Sequence, residues 1–128
     1  MMLTVADLMH KGDEMPLVKP DINMSDALIE MSGKGFGCLG VVNEAGEFCG
    51  VFTDGDLRRA MAPDLLTKTI QDVMTRTPTT TTAQTLAIDA LRIMNTTGKG
   101  ITSLFVLDDN KKPIGLLHMH DCLRAGVA

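Results

Sequence analysis

The chain contains no tryptophan or tyrosine and only four phenylalanines among its 128 residues. Proteins that bind single-stranded nucleic acids stack the bases on aromatic side chains, and they hold the phosphates with lysine and arginine. Here the 12 basic residues are outnumbered by 16 acidic ones, for a formal net charge of −4. Nucleic acid is therefore not an expected partner.

Long apolar segments and paired cysteines are also missing. No apolar run approaches the roughly 20 residues that a membrane-spanning helix needs, and the N-terminus shows no basic-then-apolar signal peptide. Cys38, Cys49 and Cys122 are odd in number and show no Cys-x-x-Cys spacing. We therefore expect a cytoplasmic protein without a membrane partner, whose reduced cysteines serve as small buried hydrophobic residues.

What the sequence does have is an internal repeat. Val5–Met9 returns 65 positions later as Ile70–Met74, and Gly50–Arg58 returns at the same shift as Gly115–Leu123. Lys34-Gly35 likewise returns as Lys99-Gly100. A repeat of this length indicates two copies of one supersecondary unit, packed as a pseudo-twofold pair. We expect repeat 1 at residues 1–61, a linker at 62–68 and repeat 2 at 69–128.

Each copy is predicted to have the order β-α-β-β-α after a short opening helix or turn, an α/β (α+β) architecture. In the first copy Asn23 and Asp26 resemble a capping box, and Met24, Leu28 and Met31 then recur on one helical face. We interpret this methionine stripe as core packing and not as a cofactor-binding segment. The other predicted elements are a helix at about Leu86–Asn95, strands at Cys38–Val42, Cys49–Phe52, Thr102–Leu107 and Ile114–Leu117, and final helices from Asp54 or Gly55 and from Met119 or His120.

The stretch Gly50–Asp56 ends a predicted strand and starts a helix. Helix N-termini present free N–H groups and a partial positive charge, which suit a phosphate. Thr53 adds a hydroxyl, Gly55 permits close approach to the backbone, and Asp56 has the oxygens to accept from the vicinal hydroxyls of a ribose. The same residues are also compatible with a purely structural role, in which Thr53 or Asp54 caps the helix.

A strand ending in Gly-hydrophobic-hydrophobic-Thr-x-x-Asp, repeated after about 65 residues, resembles the tandem CBS-domain pair, a family that binds nucleotides between its two copies. The strings Asp7–Pro16, Phe52–Arg59 and Gly115–Val127 further resemble the C-terminal CBS pair of D-arabinose 5-phosphate isomerases. In that family a sugar-isomerase (SIS) domain precedes the pair and interconverts ribulose 5-phosphate and arabinose 5-phosphate for Kdo synthesis, in lipopolysaccharide or capsule formation. The resemblance implies a regulatory module without the catalytic domain, so we expect this chain not to be an enzyme.

The resemblance also implies two clefts, because the Thr-x-x-Asp of one CBS copy faces the opening segment and first strand of the other. The first cleft would contain Thr53, Asp54, Gly55, Asp56, Met74, Thr75, Thr102 and Ser103. The second would contain Met9, His10, Gly37, Cys38, His118, His120 and Asp121. His118 replaces the hydroxyl of the general CBS pattern, although this His-Met-His-Asp string resembles the isomerase subfamily.

His118 and His120 lie two apart at a predicted strand end, with Cys122 beyond, and such imidazoles could share a face and bind zinc. No fourth ligand is evident, and a helix is predicted to start between them. We therefore expect no metal site, and a hydrogen-bonding or ligand-contact role for both imidazoles.

Two functional hypotheses follow. The first is a ligand-sensing module that needs no cofactor and binds a nucleotide or sugar nucleotide, with CMP-Kdo implied by the resemblance and an adenine nucleotide as the generic alternative; its partner would be the SIS domain. The second is a structural module that only dimerises the parent enzyme and binds nothing. Retention of Thr53 and Asp56 favours the first. A homodimer is expected in either case, because CBS pairs commonly stack and the terminal helices carry Leu57, Met61, Leu123 and Val127.

Overall fold

The computed structural model describes residues 2–96 and 101–127. By packing, the chain divides into two compact units. One comprises Glu14–Pro78 and is called here the threonine unit. The other comprises Met1–Asp13 and Thr79–Ala128 and contains all three histidines, so it is called the histidine unit. The predicted counterpart of Lys34-Gly35, Lys99-Gly100, lies outside the described residues.

Both units contain the predicted β-α-β-β-α order, which confirms the fold class. The helices are α1 (Val5–Leu8), α2 (Met24–Lys34), α3 (Asp54–Ala60), α4 (Ala87–Thr96) and α5 (Met119–Arg124). The strands are β1 (Leu17–Val18), β2 (Cys38–Val42), β3 (Phe48–Thr53), β4 (Thr80–Thr81), β5 (Ser103–Leu107) and β6 (Pro113–His118). The 3₁₀ turns are Gly12–Glu14, Leu65–Thr67 and Ile70–Asp72.

Each unit has one three-stranded sheet, in the order β1-β2-β3 or β4-β5-β6. The short first strand runs parallel to the middle strand, and the last two strands form an antiparallel hairpin. In the threonine unit this register places Cys38 opposite Thr53, and in the histidine unit it places Ser103 opposite His118. Directly opposed residues point to the same face of a sheet, so each of these pairs shares a face at the strand end where a helix begins.

Helix α2 shows how the sequence produces its elements. The side chain of Asn23 accepts a hydrogen bond of 2.9 Å from the N–H of Asp26, and Gly35 ends the helix with φ of 79°. Met24 and Met31 are buried in the core of the threonine unit, with Leu28 packed against it. The interpretation of the methionine stripe as core is confirmed.

The opening segment of each repeat pairs with the last strand of the other repeat. Thr75 and Val51 exchange backbone hydrogen bonds of 2.8 and 2.9 Å, and His10 and Leu116 do the same at the same two distances. This pairing is why the compact units differ from the sequence repeats. The segment predicted as a linker, 62–68, belongs to the threonine unit and buries Leu65 in its core.

Glycine is required where the opening segments cross these strands. A Cβ added at Gly50 would lie 2.6 Å from the sulfur of Met74 and 3.0 Å from the carbonyl oxygen of Thr75. A Cβ at Gly115 would collide with Met9 and lie 3.1 Å from the carbonyl oxygen of His10. An added side chain would have to displace Met74 or Met9 and would press against the carbonyl oxygen of the opening segment. Both strands therefore favour glycine at this crossing.

Cys38 and Cys122 are buried and Cys49 is half-buried, in keeping with the predicted role of small hydrophobic residues. Burial raises the pKa of the Cys49 and Cys122 thiols, which keeps them protonated at neutral pH. Among the helices of the described residues, none has both the length and the apolar character to cross a membrane.

Candidate functional site

Strand β3 ends at Thr53, and helix α3 begins at the next residue. Thr53 is extended, with φ of −121° and ψ of 173°, and its hydroxyl accepts a 3.3 Å hydrogen bond from the N–H of Asp56. Asp56 reciprocates, since its Oδ2 accepts a hydrogen bond of 2.9 Å from the N–H of Thr53 and one of 3.2 Å from the Thr53 hydroxyl. Thr53, and not Asp54, is therefore the helix cap that the sequence predicted as the structural alternative.

Asp56 does more than complete this capping box. Its other oxygen, Oδ1, accepts a hydrogen bond of 2.7 Å from the guanidinium of Arg59 and one of 2.9 Å from the hydroxyl of Thr75. The residue is only 6% exposed, and buried charges are stable in proteins only where they are paired and hydrogen-bonded. Asp56 thus ties the start of α3 to the opening segment of repeat 2 inside one unit.

The electrostatics of Asp56 reflect two opposing effects. Burial by itself raises the pKa of the carboxyl, and it is the largest single influence. The hydrogen bonds from Arg59, Thr75 and Thr53 act in the opposite direction, and together they hold the pKa of Asp56 below its usual value. The site therefore presents a carboxylate at neutral pH.

The groups around the Asp56 carboxylate differ in how exposed they are to solvent. The Arg59 side chain is 72% exposed, and it folds back over the first turn of α3, where a Cβ on Gly55 would lie 3.3 Å from its Nη1. On the other side Gly37, with φ of 72°, has its Cβ position 3.3 Å from Oδ2 of Asp54. Thr53 and Thr75 are half-buried, so Arg59 is the most accessible partner of Asp56.

The histidine unit has an equivalent network with different side chains. Oδ2 of Asp121 accepts a hydrogen bond of 2.8 Å from Nε2 of His10 and one of 3.4 Å from the N–H of His118. Oδ1 of Asp121 pairs with the guanidinium of Arg124. At the repeat shift of 65, Asp121 corresponds to Asp56 and Arg124 to Arg59. His118 and His10 stand where the threonine unit has Thr53 and Thr75. Two hydroxyls are thus replaced by two imidazoles, and the contacts differ in detail: His10 bonds to Oδ2 of Asp121, whereas Thr75 bonds to Oδ1 of Asp56.

His118 caps α5 as Thr53 caps α3, but it accepts from the second residue of its helix, whereas Thr53 accepts from the third. Its Nδ1 accepts a hydrogen bond of 3.1 Å from the N–H of His120, and the two rings lie 4.7 Å apart between centroids at an angle of 54°. Across the described ranges, no group of three or more His, Cys, Asp or Glu side chains is arranged to hold a metal ion.

The remaining predicted site residues divide between the units. Met74 packs against the core of the threonine unit, and Gly37 and Cys38 lie in that unit beside Asp54 and Thr53. In the histidine unit, the Thr102 carbonyl accepts 2.7 Å from the N–H of Met119, Ser103 opposes His118, and Met9 contacts Gly115. The Ser103 hydroxyl oxygen is buried and has no hydrogen-bond partner among the described residues. The grouping of these residues into two clefts remains a prediction.

Sequence reasoning missed Arg59 and Arg124. Each lies three residues after its aspartate, a spacing at which side chains meet on a helix, and the Asp-x-x-Arg pattern occurs in both repeats. It also missed that Thr4 with Asp7 and Thr69 with Asp72 form two further capping boxes. Thr-x-x-Asp by itself is therefore a local capping signal in this chain, and only burial and the added partners distinguish Asp56.

A shallow cavity of about 190 Å³ lies elsewhere in the histidine unit. It is lined mainly by apolar residues near the two ends of the chain, among them Leu3, Leu86 and Val127. None of the predicted site residues lines it.

Comparison with known proteins places this geometry in a family context. The family model described as "CBS domain" matches twice, at residues 5–63 and 70–128. Only residues 1–4 and 64–69 fall outside the matches, so the 128 residues consist of this pair and include no sugar-isomerase domain.

Among curated proteins, the chain is 43% identical to arabinose 5-phosphate isomerase KdsD of Yersinia pestis and 44% identical to that of Pseudomonas aeruginosa, over 129 residues in each case. These alignments cover 99% of this chain but only 38% and 39% of the relatives. The chain therefore spans less than two fifths of the curated relatives that it matches.

Among solved structures, the chain resembles CBSX2 in complex with AMP, with a TM-score of 0.85 and 28% identity, covering 97% of this chain and 96% of that one. CBSX2 from Arabidopsis thaliana gives a TM-score of 0.81 at 28% identity, with 98% and 95% covered. The CBS domain pair of protein MJ0100, in complex with 5-methylthioadenosine and S-adenosyl-L-methionine, gives 0.85 at 23% identity, with 98% and 97% covered. The last likeness shows the fold alone.

Proposed function

We propose, from the premise that the chain belongs to the CBS domain family, that it is the ligand-sensing regulatory module of a D-arabinose 5-phosphate isomerase. In this proposal it binds a nucleotide or sugar nucleotide and transmits occupancy to a sugar-isomerase domain. The specific ligand we propose is CMP-Kdo, acting as a feedback inhibitor of Kdo, lipopolysaccharide or capsule synthesis. An adenine nucleotide is the broader alternative.

The similarity to the KdsD enzymes supports the isomerase context, and the AMP complex of CBSX2 supports a nucleotide as the class of ligand. The observation within this chain that carries the proposal is the buried Asp56 carboxylate at the tip of β3. Its oxygens are held in place by Thr53 and Thr75, and Gly55 beside it adds no side chain. A ribose needs such a pre-oriented acceptor for its vicinal hydroxyls.

Binding of a ribose requires an exchange at this carboxylate, because both of its oxygens already accept hydrogen bonds. Arg59 is the partner that can leave, since its side chain is largely exposed and water can solvate the freed guanidinium. The released cation would then remain close to the first turn of α3, where it can pair with the phosphate of the same nucleotide. Thr53 and Thr75 would keep Asp56 in position during the exchange.

The other assignments belong to the same proposal. Asp54, Gly55 and Met74, which lie in the same unit as Asp56, would complete the nucleotide site. A second site would use the imidazoles of His10, His118 and His120 around Asp121.

The test is to measure binding of CMP-Kdo, CMP, AMP and ATP to the 128-residue chain by thermal shift and by isothermal titration calorimetry. A ligand at 100 times its dissociation constant should stabilise the protein by about 2.7 kcal/mol. Asp56→Ala should weaken binding about 10- to 150-fold, the factor expected for a hydrogen bond to a charged acceptor worth roughly 1.5–3 kcal/mol. Asp121→Ala should have a much smaller effect.

Asp72→Ala is the matched control, because Asp72 makes the same capping box with Thr69 but is exposed. It should bind ligand like the parent. Each variant is compared by circular dichroism at the titration temperature, so that a loss of affinity is separated from a loss of fold. Equal losses at Asp56 and Asp121 would mean that both copies bind, and a loss at Asp121 alone would contradict the assignment of Asp56. No stabilisation by any of the four ligands would contradict the sensing role.

The alternative, a module that only dimerises its parent enzyme, is favoured by one observation. Met61, which ends α3, is 63% exposed, and Leu123 on α5 is 55% exposed. Leu57 and Val127, also predicted to support a dimer, instead pack against the cores of their own units. A protein that dimerises through Met61 or Leu123 and fails the ligand series would be such a module.

A further inference from the structure

All three imidazoles of the chain lie near the start of α5, where His10 bonds to Asp121 and the ring of His118 lies 4.7 Å from that of His120. A proton would affect the hydrogen bonds of His10 and His118 differently. Nε2 of His10 donates to Asp121, and an imidazole can donate through that nitrogen whether it is neutral or charged. Nδ1 of His118 accepts from the N–H of His120. A ring nitrogen accepts only while it carries no proton, so this cap requires neutral His118 with its hydrogen on Nε2.

Most of the charged groups that act on His118 disfavour a second cation. The titratable and charged groups that act on it are His120, Asp121 and Arg124 on α5 and His10 from the opening segment. On β5, the residue opposite His118 is Ser103, which does not titrate. Asp121 is the one carboxylate in this set, and Arg124 and His10 already occupy its two oxygens.

We propose that the histidine unit contains a proton-operated helix cap: protonation of His118 removes the acceptor from the first turn of α5 and loosens that helix, while α3, capped by Thr53, does not respond. The physical reason is twofold. The imidazolium cannot accept the N–H of His120, and it places a positive charge against the unpaired N–H groups of a helix start. This inference goes beyond the proposed function, because it concerns the protein without ligand.

The direction of the response follows from the environment of the ring. Burial, then the neighbouring His120, lowers the pKa of His118 below 6.5, with smaller contributions from His10 and Arg124 in the same direction, and Asp121 opposes them. A histidine whose pKa is lower in the folded protein stabilises the fold fully above its unfolded pKa. That stabilisation is lost as the pH falls from about 6.5 toward the pKa of His118 in the folded protein.

The experiment is amide hydrogen exchange on the full chain between pH 7.5 and 5.5, with each rate divided by its intrinsic rate at the same pH. The N–H groups of His120, Asp121 and Cys122 should lose protection by about fivefold on acidification, the factor that corresponds to a typical N-cap bond. The first-turn amides of α3 serve as the internal reference and should change by less than a factor of two. Equal changes in α3 and α5 would overturn the proposal, because they would indicate a global effect.

Substitutions at three positions assign the response to one ring. His118→Thr installs the residue that caps α3 at the equivalent position and should abolish the pH dependence in α5; His118→Asn, which also caps well, serves if the first variant folds poorly. His10→Thr should retain the response. Thr53→His should transfer it to α3. A response that persists in the His118 variants, or one that disappears in His10→Thr, would overturn the assignment to His118.

Discussion

Replacing Asp56 by alanine should destabilise the protein far more than its position at the start of a short helix suggests. The substitution removes hydrogen bonds from the N–H of Thr53 and the hydroxyl of Thr75 to a buried, ionised acceptor. Bonds of this kind contribute about 1.5–3 kcal/mol each. The Arg59 pair adds little, since largely exposed ion pairs contribute about 0.2–1 kcal/mol. At the lower end of these ranges, we expect a loss of about 3 kcal/mol.

Urea and thermal unfolding measure this loss directly. For a chain of this length about 3 kcal/mol corresponds to a fall in Tm of roughly 12 °C, at about 4 °C per kcal/mol. Asp72→Ala breaks a capping box of the same geometry at the surface, where water replaces the lost bonds. It should therefore lower the Tm much less. If Asp56→Ala cost no more than Asp72→Ala, the inference that burial and Thr75 set the strength of this site would be wrong.

Acid provides a second check on the same residue. The pKa of Asp56 in the folded protein lies below its usual value of 3.8. The stabilisation that Asp56 gives the fold is therefore complete above the pKa of the unfolded chain, and it is lost as the pH falls through the pKa of the folded protein. The stability difference between the parent chain and Asp56→Ala should therefore be constant from pH 7 to pH 5 and shrink below about pH 4. A difference that stayed constant into strong acid would contradict an ionised Asp56.

Three further predictions concern other parts of the chain. Gly50→Ala and Gly115→Ala should each lower the free energy of unfolding in urea by about 1–3 kcal/mol, because a Cβ there collides with the opening segment. Gly33→Ala is the control: a Cβ at this position on α2 meets open space, so the substitution should raise the free energy of unfolding by about 0.5 kcal/mol. The purified chain should show no arabinose 5-phosphate isomerase activity in a coupled assay, and turnover free of host enzyme would contradict a purely regulatory role. Sedimentation should give a homodimer that Met61→Glu or Leu123→Glu weakens; a monomer at high micromolar concentration would contradict the dimer.

Elements with a strong local signal could be predicted from the sequence. Asn23 and Asp26 marked the start of α2, and the spacing of Met24 and Met31 marked its buried face, because capping and helical periodicity act over a few residues. The strand boundaries moved by one residue in places: β3 extends to Phe48 and Thr53 at its ends, and β5 starts at Ser103. Strand ends depend on pairing with a partner strand, which local sequence does not specify.

The repeat and the resemblance that it carries identified the family, and the family match confirmed it. The sequence also indicated the stretch around Thr53 and Asp56 as the place where chemistry is concentrated. It could not distinguish a cap from a binding group, since Thr4 with Asp7 and Thr69 with Asp72 carry the same Thr-x-x-Asp pattern and form exposed capping boxes.

The chain by itself determined the order of elements, the two copies and the positions where the copies differ, because these depend on residue type and spacing along the chain. The family resemblance implied that the opening segment of one copy lies against the Thr-x-x-Asp of the other, but only the tertiary structure decided the bonds themselves, from Thr75 to Asp56 and from His10 to Asp121. These partners are 19 and 111 residues apart. Hydrogen bonds act over about 3 Å in space, so separation along the chain carries no information about them until the fold brings the segments together.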